Sequence, residues 1–185
     1  MTVGAIVLTG GRARRLGGTD KAQLAVDGRT LLQRVLEAVG PATVVVVGPT
    51  SGMPTGVQVV REDPPYAGPL AAIATGLAAL PADVSQVAVL AADMPFLDGP
   101  TIEQLCSQLG TAPAAVLVSG GRRHWLTAAW DRVALSTALA AQPALTDAPV
   151  RLIYDGVNVA EVTADERTAF DIDTPEDLQR AKEWT

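Results

Sequence analysis

The sequence is poor in the residues that disulfide-bonded and zinc-binding folds require. It contains one cysteine, Cys106, and one histidine, His124. A disulfide framework needs paired cysteines, and a zinc site made from Cys and His alone needs several such ligands. Both classes are therefore excluded.

Aromatic residues, positive charge and long apolar runs are also scarce. Aromatics make up 4% of the 185 residues and hydrophobic residues 48%, so the core must be built mainly from Ala, Val, Leu and Ile. No apolar run approaches membrane-spanning length. The net charge of −6 argues against a broad surface for nucleic acid or anionic membrane. We therefore expect one cytoplasmic domain over residues 1–185, with neither nucleic acid nor membrane as a partner.

Short β-branched runs alternate with longer Ala/Leu segments of helical spacing. Strands are predicted at residues 5–8, 43–47, 57–60, 87–91, 115–118 and 152–154. Helices are predicted at residues 31–39, 70–80, 101–109, 133–141 and 174–182. This alternation predicts a three-layer α/β/α fold around a mostly parallel sheet. In such folds ligands bind beyond the carboxyl ends of the strands.

The segment LTGGRARRLGGTDK, residues 8–21, follows the first predicted strand directly. Gly10 and Gly11 allow main-chain N–H groups to approach a ligand closely. The cationic side chains are suited to phosphate; they are Arg12, Arg14, Arg15 and Lys21. The segment fits neither the P-loop pattern nor G-x-G-x-x-G. It is either a phosphate-binding loop of another kind or a solvated loop with turn glycines.

A carboxylate ends another predicted strand, in VAVLAADMPFL at residues 87–97. The apolar run stops at Asp93, and Pro95 prevents the strand from continuing. One carboxylate near substrate phosphates is what Mg²⁺ requires, because this ion keeps several waters and bridges to phosphate. The alternative is a turn in which Asp93 only caps the chain.

Two further segments place polar groups near helix starts. Gly68 and Pro69 begin a predicted helix whose free N–H groups face the edge of the sheet where ligands bind. Asp63, upstream, either accepts hydrogen bonds from a ribose or only stabilises a turn. In FDIDTPEDL, Thr174 with Pro175 and Asp177 forms a helix cap. Capping does not explain the preceding Asp171 and Asp173, which can reach a metal or an acceptor.

These segments resemble the molybdenum cofactor guanylyltransferase family, MobA-like members of the Rossmann-like nucleotidyltransferase fold. The family pattern runs L-A-G-G, R-M-G, D-K, G-P-L-A, D-x-P and N-x-N-T-P-E-x-L. Here it appears as LTGG, RLGGTDK, GPLAA, ADMPFL and DIDTPEDL, across nearly the whole chain.

The resemblance implies a role for each matching position. Nucleotide-binding residues would be Leu8, Thr9, Gly10, Gly11, Lys21, Asp63, Gly68, Pro69 and Leu70. Catalytic groups would be Arg15, Lys21 and Asp93. Asp93 would be the Mg²⁺ ligand, with Asp173 as a second candidate ligand. His124, in the R-x-H-x-L match RRHWL, and Asp171 would face the acceptor; alternatively, His124 is an ordinary strand residue.

The implied function is Mg²⁺-dependent transfer of GMP from GTP to molybdopterin with release of pyrophosphate. A molybdoenzyme or its chaperone would be a further partner. Three departures leave the substrates open: Thr9 replaces alanine, VVVVGPTSG lacks an asparagine, and Asp171 and Asp173 replace asparagines. The alternatives are a cytidylyltransferase or sugar-phosphate nucleotidyltransferase of the same fold, or a non-catalytic nucleotide-binding adaptor for a molybdoenzyme.

Overall fold

The computed structural model describes residues 2–10, 21–49 and 56–184, and a seven-stranded sheet dominates them. Its strands are β1 (Val3–Leu8), β4 (Thr43–Val47), β5 (Gln58–Val60), β6 (Gln86–Ala91), β7 (Ala114–Ser119), β8 (Arg122–Asp131) and β9 (Val159–Thr163). A separate hairpin joins β2 (Ala25–Val26) to β3 (Arg29–Thr30). The helices are α1 (Leu31–Val39), α2 (Pro69–Ala79), α3 (Gly99–Ser107), α4 (Arg132–Ala140) and α5 (Pro175–Glu183).

The strand order is β5-β4-β1-β6-β8-β7-β9. The four strands from β5 to β6 are parallel to their neighbours, whereas β8 runs antiparallel to both β6 and β7. β7 and β9 are again parallel. The prediction of a mostly parallel sheet is therefore confirmed, with β8 as the reversed strand.

Alternate side chains of the strands supply two separate cores, one on each face of the sheet. In β1, Ile6 and Leu8 pack on the α2 and α4 face, whereas Ala5 and Val7 pack on the α1 and α3 face. Both faces are covered by helices, which explains why the central strands are continuous apolar runs. The layers are those of the predicted α/β/α fold.

α2 packs against the sheet through a position without a side chain, because Gly76 lies on its buried face. A Cβ atom placed there would lie 2.5 Å from Ile6 Cγ2 and 3.0 Å from Val47 Cγ2. The absence of a side chain allows the helix to lie directly over β1 and β4. Its first turn, Pro69 onward, follows Gly68, whose φ of 95° favours glycine.

Three parts of the sheet region differ from the prediction. Residues 152–154 are not a strand but part of the 3₁₀ segment Val150–Tyr154, in which Ile153 and Tyr154 are buried. β8 and β9 were not predicted. β8 begins with two exposed arginines and β9 is a half-exposed edge strand, so neither carries the continuous apolar run of a central strand.

No helix within the described residues is both long enough and apolar enough to span a lipid bilayer.

Candidate active site

The carboxyl ends of β1 and β6 lie side by side at the centre of the sheet. Leu8 pairs with Ala91, and the Ala92 N–H donates to the Leu8 carbonyl at 3.0 Å. The loop that starts at Thr9 and the turn that contains Asp93 therefore leave the sheet together. The predicted phosphate-binding loop and the turn with the predicted metal-binding carboxylate therefore start at the same edge of the sheet.

Lys21 links two carboxylates across this edge. Its Nζ lies 2.7 Å from Asp93 Oδ2 and 2.7 Å from Asp173 Oδ1. The side chains of Lys21 and Asp93 are 17% and 26% exposed, whereas Asp173 is 56% exposed. Three residues far apart in sequence, each proposed for phosphate or metal binding, thus meet at one point.

The electrostatics of this cluster follow from its partial burial. Burial raises the pKa of Asp93 above its ordinary value, although the Lys21 ammonium acts in the opposite direction. Burial by itself would lower the pKa of Lys21, but Asp93 and Asp173 outweigh it and raise that pKa. Lys21 is therefore a fixed cation at neutral pH.

A cleft of about 440 Å³ opens on the α2 side of Asp93. It is lined by Leu8, Gly10, Glu62, Tyr66, Gly68, Pro69, Ala72, Ala91, Asp93, Leu126 and Asp147. Four residues predicted to bind nucleotide, Leu8, Gly10, Gly68 and Pro69, therefore line the same space. We refer to this space as the α2 cleft.

The other residues predicted to bind nucleotide occupy different positions. Thr9 is buried, donates to the Val47 carbonyl at 3.2 Å, and lines a smaller cavity of about 240 Å³ together with Lys21, Asp93 and Asp173. Leu70 is fully buried in the core, where it packs rather than lining the cleft. Gly11 and Arg15 lie outside the described residues.

Asp63 is exposed and does not line the α2 cleft, whereas its neighbour Glu62 is 7% exposed and does. Glu62 Oε1 accepts the Tyr66 main-chain N–H at 3.0 Å. Glu62 Oε2 has no hydrogen-bond partner among the described residues. A buried unpaired carboxylate oxygen is costly to a protein, which singles out Glu62 as a group with an unmet hydrogen-bonding capacity.

A second cleft, of about 600 Å³, opens on the other side of Asp93. It is lined by Ala91, Asp93, Met94, Gly121, Arg122, Arg123, His124, Trp125, Leu126, Thr127, Val150 and Asp171. The two residues predicted to face the acceptor, His124 and Asp171, both lie here. We refer to this space as the β8 cleft; Asp93, Ala91 and Leu126 border both clefts.

Charged groups surround the mouth of the β8 cleft. Arg122 Nη2 lies 3.7 Å from Asp171 Oδ2, so the two elements that carry them face each other. Burial lowers the pKa of His124 below its ordinary value, and Arg122 acts in the same direction against Asp171 and Asp93. His124 is therefore neutral at neutral pH.

A bulge in β8 shapes this second cleft. Leu117 of β7 pairs with His124, but its neighbour Val116 pairs with Ala128, so residues 125–127 are extra opposite β7. Consecutive residues of a regular strand point to opposite faces, yet Trp125, Leu126 and Thr127 all line one cleft. A bulge depends on how two strands pair, so it could not be predicted from the sequence pattern of β8 alone.

The segment with Asp171 and Asp173 is held from both ends. The Ile172 N–H donates to the Asp93 carbonyl at 3.0 Å. Downstream, Asp177 Oδ2 accepts the main-chain N–H groups of Asp173 at 3.0 Å and Thr174 at 2.8 Å, within the capping box of α5. The cap that the sequence predicts thus also fixes the backbone of Asp173.

The described residues contain no cluster of three or more His, Cys, Asp or Glu side chains able to hold a metal ion. Asp93 and Asp173 nevertheless contact the same ammonium nitrogen, so their oxygens converge on one cation position. Two carboxylates, completed by water and substrate phosphate, match the preference of Mg²⁺ for oxygen ligands. The residues present fit such an ion.

Comparison with known proteins gives a consistent result. Residues 5–157 match the model of the MobA-like NTP transferase domain. A molybdenum cofactor guanylyltransferase of Cereibacter sphaeroides is 34% identical over 184 residues, covering 96% of this chain and 94% of the relative.

Two solved structures have similar folds. Molybdopterin-guanine dinucleotide biosynthesis protein A of Archaeoglobus fulgidus superimposes with a TM-score of 0.76 at 24% identity, covering 98% of this chain and 97% of that one. The 2-C-methyl-D-erythritol 4-phosphate cytidylyltransferase of Thermus thermophilus gives a TM-score of 0.74 at 24% identity, covering 100% and 98%. The fold is therefore shared by proteins named for different nucleotides.

Proposed function

The chain belongs to the family of MobA-like NTP transferases and is a nucleotidyltransferase, and from this we propose that it transfers GMP from GTP to molybdopterin. The observation that carries the proposal is the position of Asp93 between two clefts. The α2 cleft contains residues predicted for the nucleotide, and the β8 cleft contains residues predicted for the acceptor. A group at the boundary of the two clefts would lie beside the α-phosphate of GTP and the acceptor phosphate that attacks it.

In the proposed reaction an oxygen of the terminal phosphate of molybdopterin attacks the α-phosphorus of GTP. A new phosphorus–oxygen bond forms, the bond to the β-phosphate oxygen breaks, and pyrophosphate leaves. The attacking phosphate is already ionised, so the protein needs no nucleophile and little general-base assistance. Catalysis then consists of orientation and of charge stabilisation by Lys21.

Asp93 and Asp173 are the groups that would hold Mg²⁺, and the ion when bound would neutralise charge on the substrate phosphates. Lys21 bridges the same two carboxylates in the ligand-free protein, so it must turn toward the triphosphate when substrate binds. Arg15, outside the described residues, is a second candidate for that role. Arg122 and Arg123 at the β8 cleft suit an acceptor that carries phosphate.

The preference for guanine is supported by Glu62. Guanine presents two adjacent donors, N1–H and the 2-amino group, which a carboxylate can accept together. Cytosine presents one donor beside an acceptor nitrogen, which a carboxylate does not match. Glu62 Oε2 is buried and unpaired in the ligand-free protein, and guanine would satisfy it once the side chain turns toward the cleft.

The direct test is pyrophosphate release with GTP, CTP, ATP and UTP, each combined with molybdopterin or with sugar phosphates. We expect release only with GTP, molybdopterin and a divalent ion. Lys21→Ala and Asp93→Asn should each lower turnover about 10²–10³-fold, the usual loss when a charge that stabilises the transition state is removed. Turnover within a few-fold of wild type in both variants would contradict this mechanism.

The same panel separates the alternatives. Turnover with CTP or a sugar phosphate identifies another transferase of this fold. Tight GTP binding without any pyrophosphate release identifies a nucleotide-binding adaptor. Cytoplasmic location and a molybdoenzyme or chaperone as a delivery partner remain predictions.

A further inference from the structure

Aromatic residues are rare in this chain, yet three of them form a continuous cluster beside the β8 cleft. The ring centroids of Trp125 and Tyr154 are 4.6 Å apart, and those of Trp130 and Tyr154 are 4.8 Å apart. Trp130 is fully buried and Tyr154 is 7% exposed, whereas Trp125 is partly exposed and lines the cleft. The cluster therefore runs from the core to the cleft wall and ends in an indole ring.

Hydrogen bonds hold the main chain that carries this indole. The Tyr154 hydroxyl donates to the Trp125 carbonyl at 2.8 Å and accepts the Trp130 Nε1–H at 3.2 Å. Burial raises the pKa of Tyr154, so its hydroxyl remains a donor over the whole neutral range. Because Trp125 begins the β8 bulge, the bond from Tyr154 holds the bulge at the residue that lines the cleft.

The Arg123 guanidinium lies beside the Trp125 ring on the same side of the β8 cleft. The Arg123 carbon Cζ lies 5.3 Å from the centre of the Trp125 ring, and Arg123 Nη2 lies 2.6 Å from Glu161 Oε1. Arg123 also lines the cleft. An indole and a guanidinium are both flat and polarisable, and both commonly stack on planar heterocycles.

We propose that Trp125, supported by Arg123, binds the flat heterocyclic ring of the acceptor, and that Tyr154 is the positioning residue that holds Trp125 in place. The proposal rests on the proposed function, because it assumes that the β8 cleft takes an acceptor. It adds a chemical requirement: the acceptor carries a planar ring as well as a phosphate. A sugar phosphate has no such ring.

The test compares Trp125→Leu, Trp125→Phe and Tyr154→Phe with wild type. Dissociation constants for molybdopterin and for GTP are measured separately by calorimetry. Trp125→Leu should weaken molybdopterin binding about tenfold or more, since stacking of a heterocycle on an aromatic side chain is commonly worth about 5- to 150-fold. Trp125→Phe should restore most of the loss.

Tyr154→Phe keeps the ring but removes the hydroxyl, and should weaken molybdopterin binding about fivefold. GTP binding should stay within twofold in all three variants, which a general loss of structure would not permit. The proposal is overturned if Trp125→Leu weakens the binding of GTP and of molybdopterin equally, or if it leaves molybdopterin binding unchanged.

Tryptophan fluorescence gives a second measurement with a matched control. Molybdopterin should quench the emission of wild type and of Trp184→Phe. Trp184 is a suitable control because it packs on Phe96 and Phe170 and does not line the β8 cleft. Trp125→Phe should lose most of this quenching. If it keeps the quenching, the indole at position 125 does not contact the ring, even if Trp125→Leu fails to fold.

The two proposals fail in different ways. If wild type releases no pyrophosphate with any acceptor, the proposed function is wrong. The proposed ring-binding role of Trp125 is then tested by whether 6-hydroxymethylpterin, which has the flat ring but no phosphate, quenches tryptophan fluorescence. Quenching in wild type that is lost in Trp125→Phe supports ring binding by Trp125. If wild type shows no quenching, the ring-binding proposal is overturned.

Discussion

Glu62 gives the sharpest prediction at the scale of single residues. Glu62→Gln replaces one carboxylate oxygen by a donor, so it should weaken GTP binding about 10- to 100-fold, the loss of a hydrogen bond to a charged group. Xanthine carries a carbonyl where guanine carries its 2-amino group. Relative affinity should therefore move from GTP toward XTP, which calorimetry with both nucleotides measures.

Asp63→Asn is the matched control, because Asp63 is adjacent in sequence but exposed and outside the α2 cleft. It removes the same charge and should leave both affinities within twofold. A larger effect of Asp63→Asn than of Glu62→Gln would restore Asp63 as the nucleoside ligand and exclude Glu62.

His124 gives a prediction about pH. Its pKa is lowered in the folded protein, so between the folded and unfolded pKa values the unfolded chain binds more protons. Its contribution to stability is therefore complete above about pH 6.5, the unfolded value, and is lost as the pH falls toward the folded pKa. Chemical unfolding should show a steeper loss of stability below about pH 6.5 in wild type than in His124→Gln. Parallel curves for the two proteins would contradict this assignment.

Site residues could be predicted from the sequence where they lie at the ends of strands or helices. Leu8, Gly10, Gly68, Pro69, Lys21 and Asp93 lie at strand or helix ends, and the structure brings them to one edge. Which of two adjacent acids faces inward depends on the path of a loop, so the motif pointed to Asp63 although Glu62 is the one that lines the α2 cleft. The position of Trp125 on the β8 cleft could not be predicted, because it depends on the bulge.

At the scale of elements, the cap of α5 links stability to the site. Thr174 and Thr30 are both N-caps with complete capping boxes, but only the first precedes a helix next to Asp173. Either threonine changed to alanine should cost about 1 kcal/mol of unfolding free energy. Thr174→Ala should in addition weaken Mn²⁺ binding in the presence of GTP several-fold, because the Thr174 hydroxyl donates to Asp177 Oδ2 at 2.8 Å and so orients the atom that accepts the Asp173 N–H.

Thermal unfolding and Mn²⁺ titration followed by electron paramagnetic resonance separate the two effects. Thr30→Ala serves as the control of equal stability with an intact Asp173 segment. Equal Mn²⁺ affinity in both variants would show that the cap does not position Asp173.

The elements themselves were predictable to different degrees. Buried parallel strands such as β1, β4 and β6 have apolar runs because helices cover both faces, and these were confirmed. β8 could not be identified in this way, since its first residues are arginines that reach solvent. The apolar run at residues 152–154 packs as a 3₁₀ turn, because three buried residues do not by themselves determine a strand.

At the scale of the whole molecule, two clefts share the wall formed by Ala91, Asp93 and Leu126. A dinucleotide product would occupy both clefts at once. We therefore expect it to inhibit competitively against GTP and also against molybdopterin in initial-rate experiments. Competition with one substrate alone would mean that the product leaves one cleft free.

The bridge from Lys21 to Asp173 spans 152 residues of sequence. During synthesis on the ribosome, Lys21 emerges 152 residues before Asp173. Asp173 also follows β9, the last strand of the described sheet, so a nascent chain gains the second carboxylate only after all seven of these strands have been made. Chains that end before Asp173 should therefore be inactive in nucleotide transfer, even when they contain every strand of the sheet.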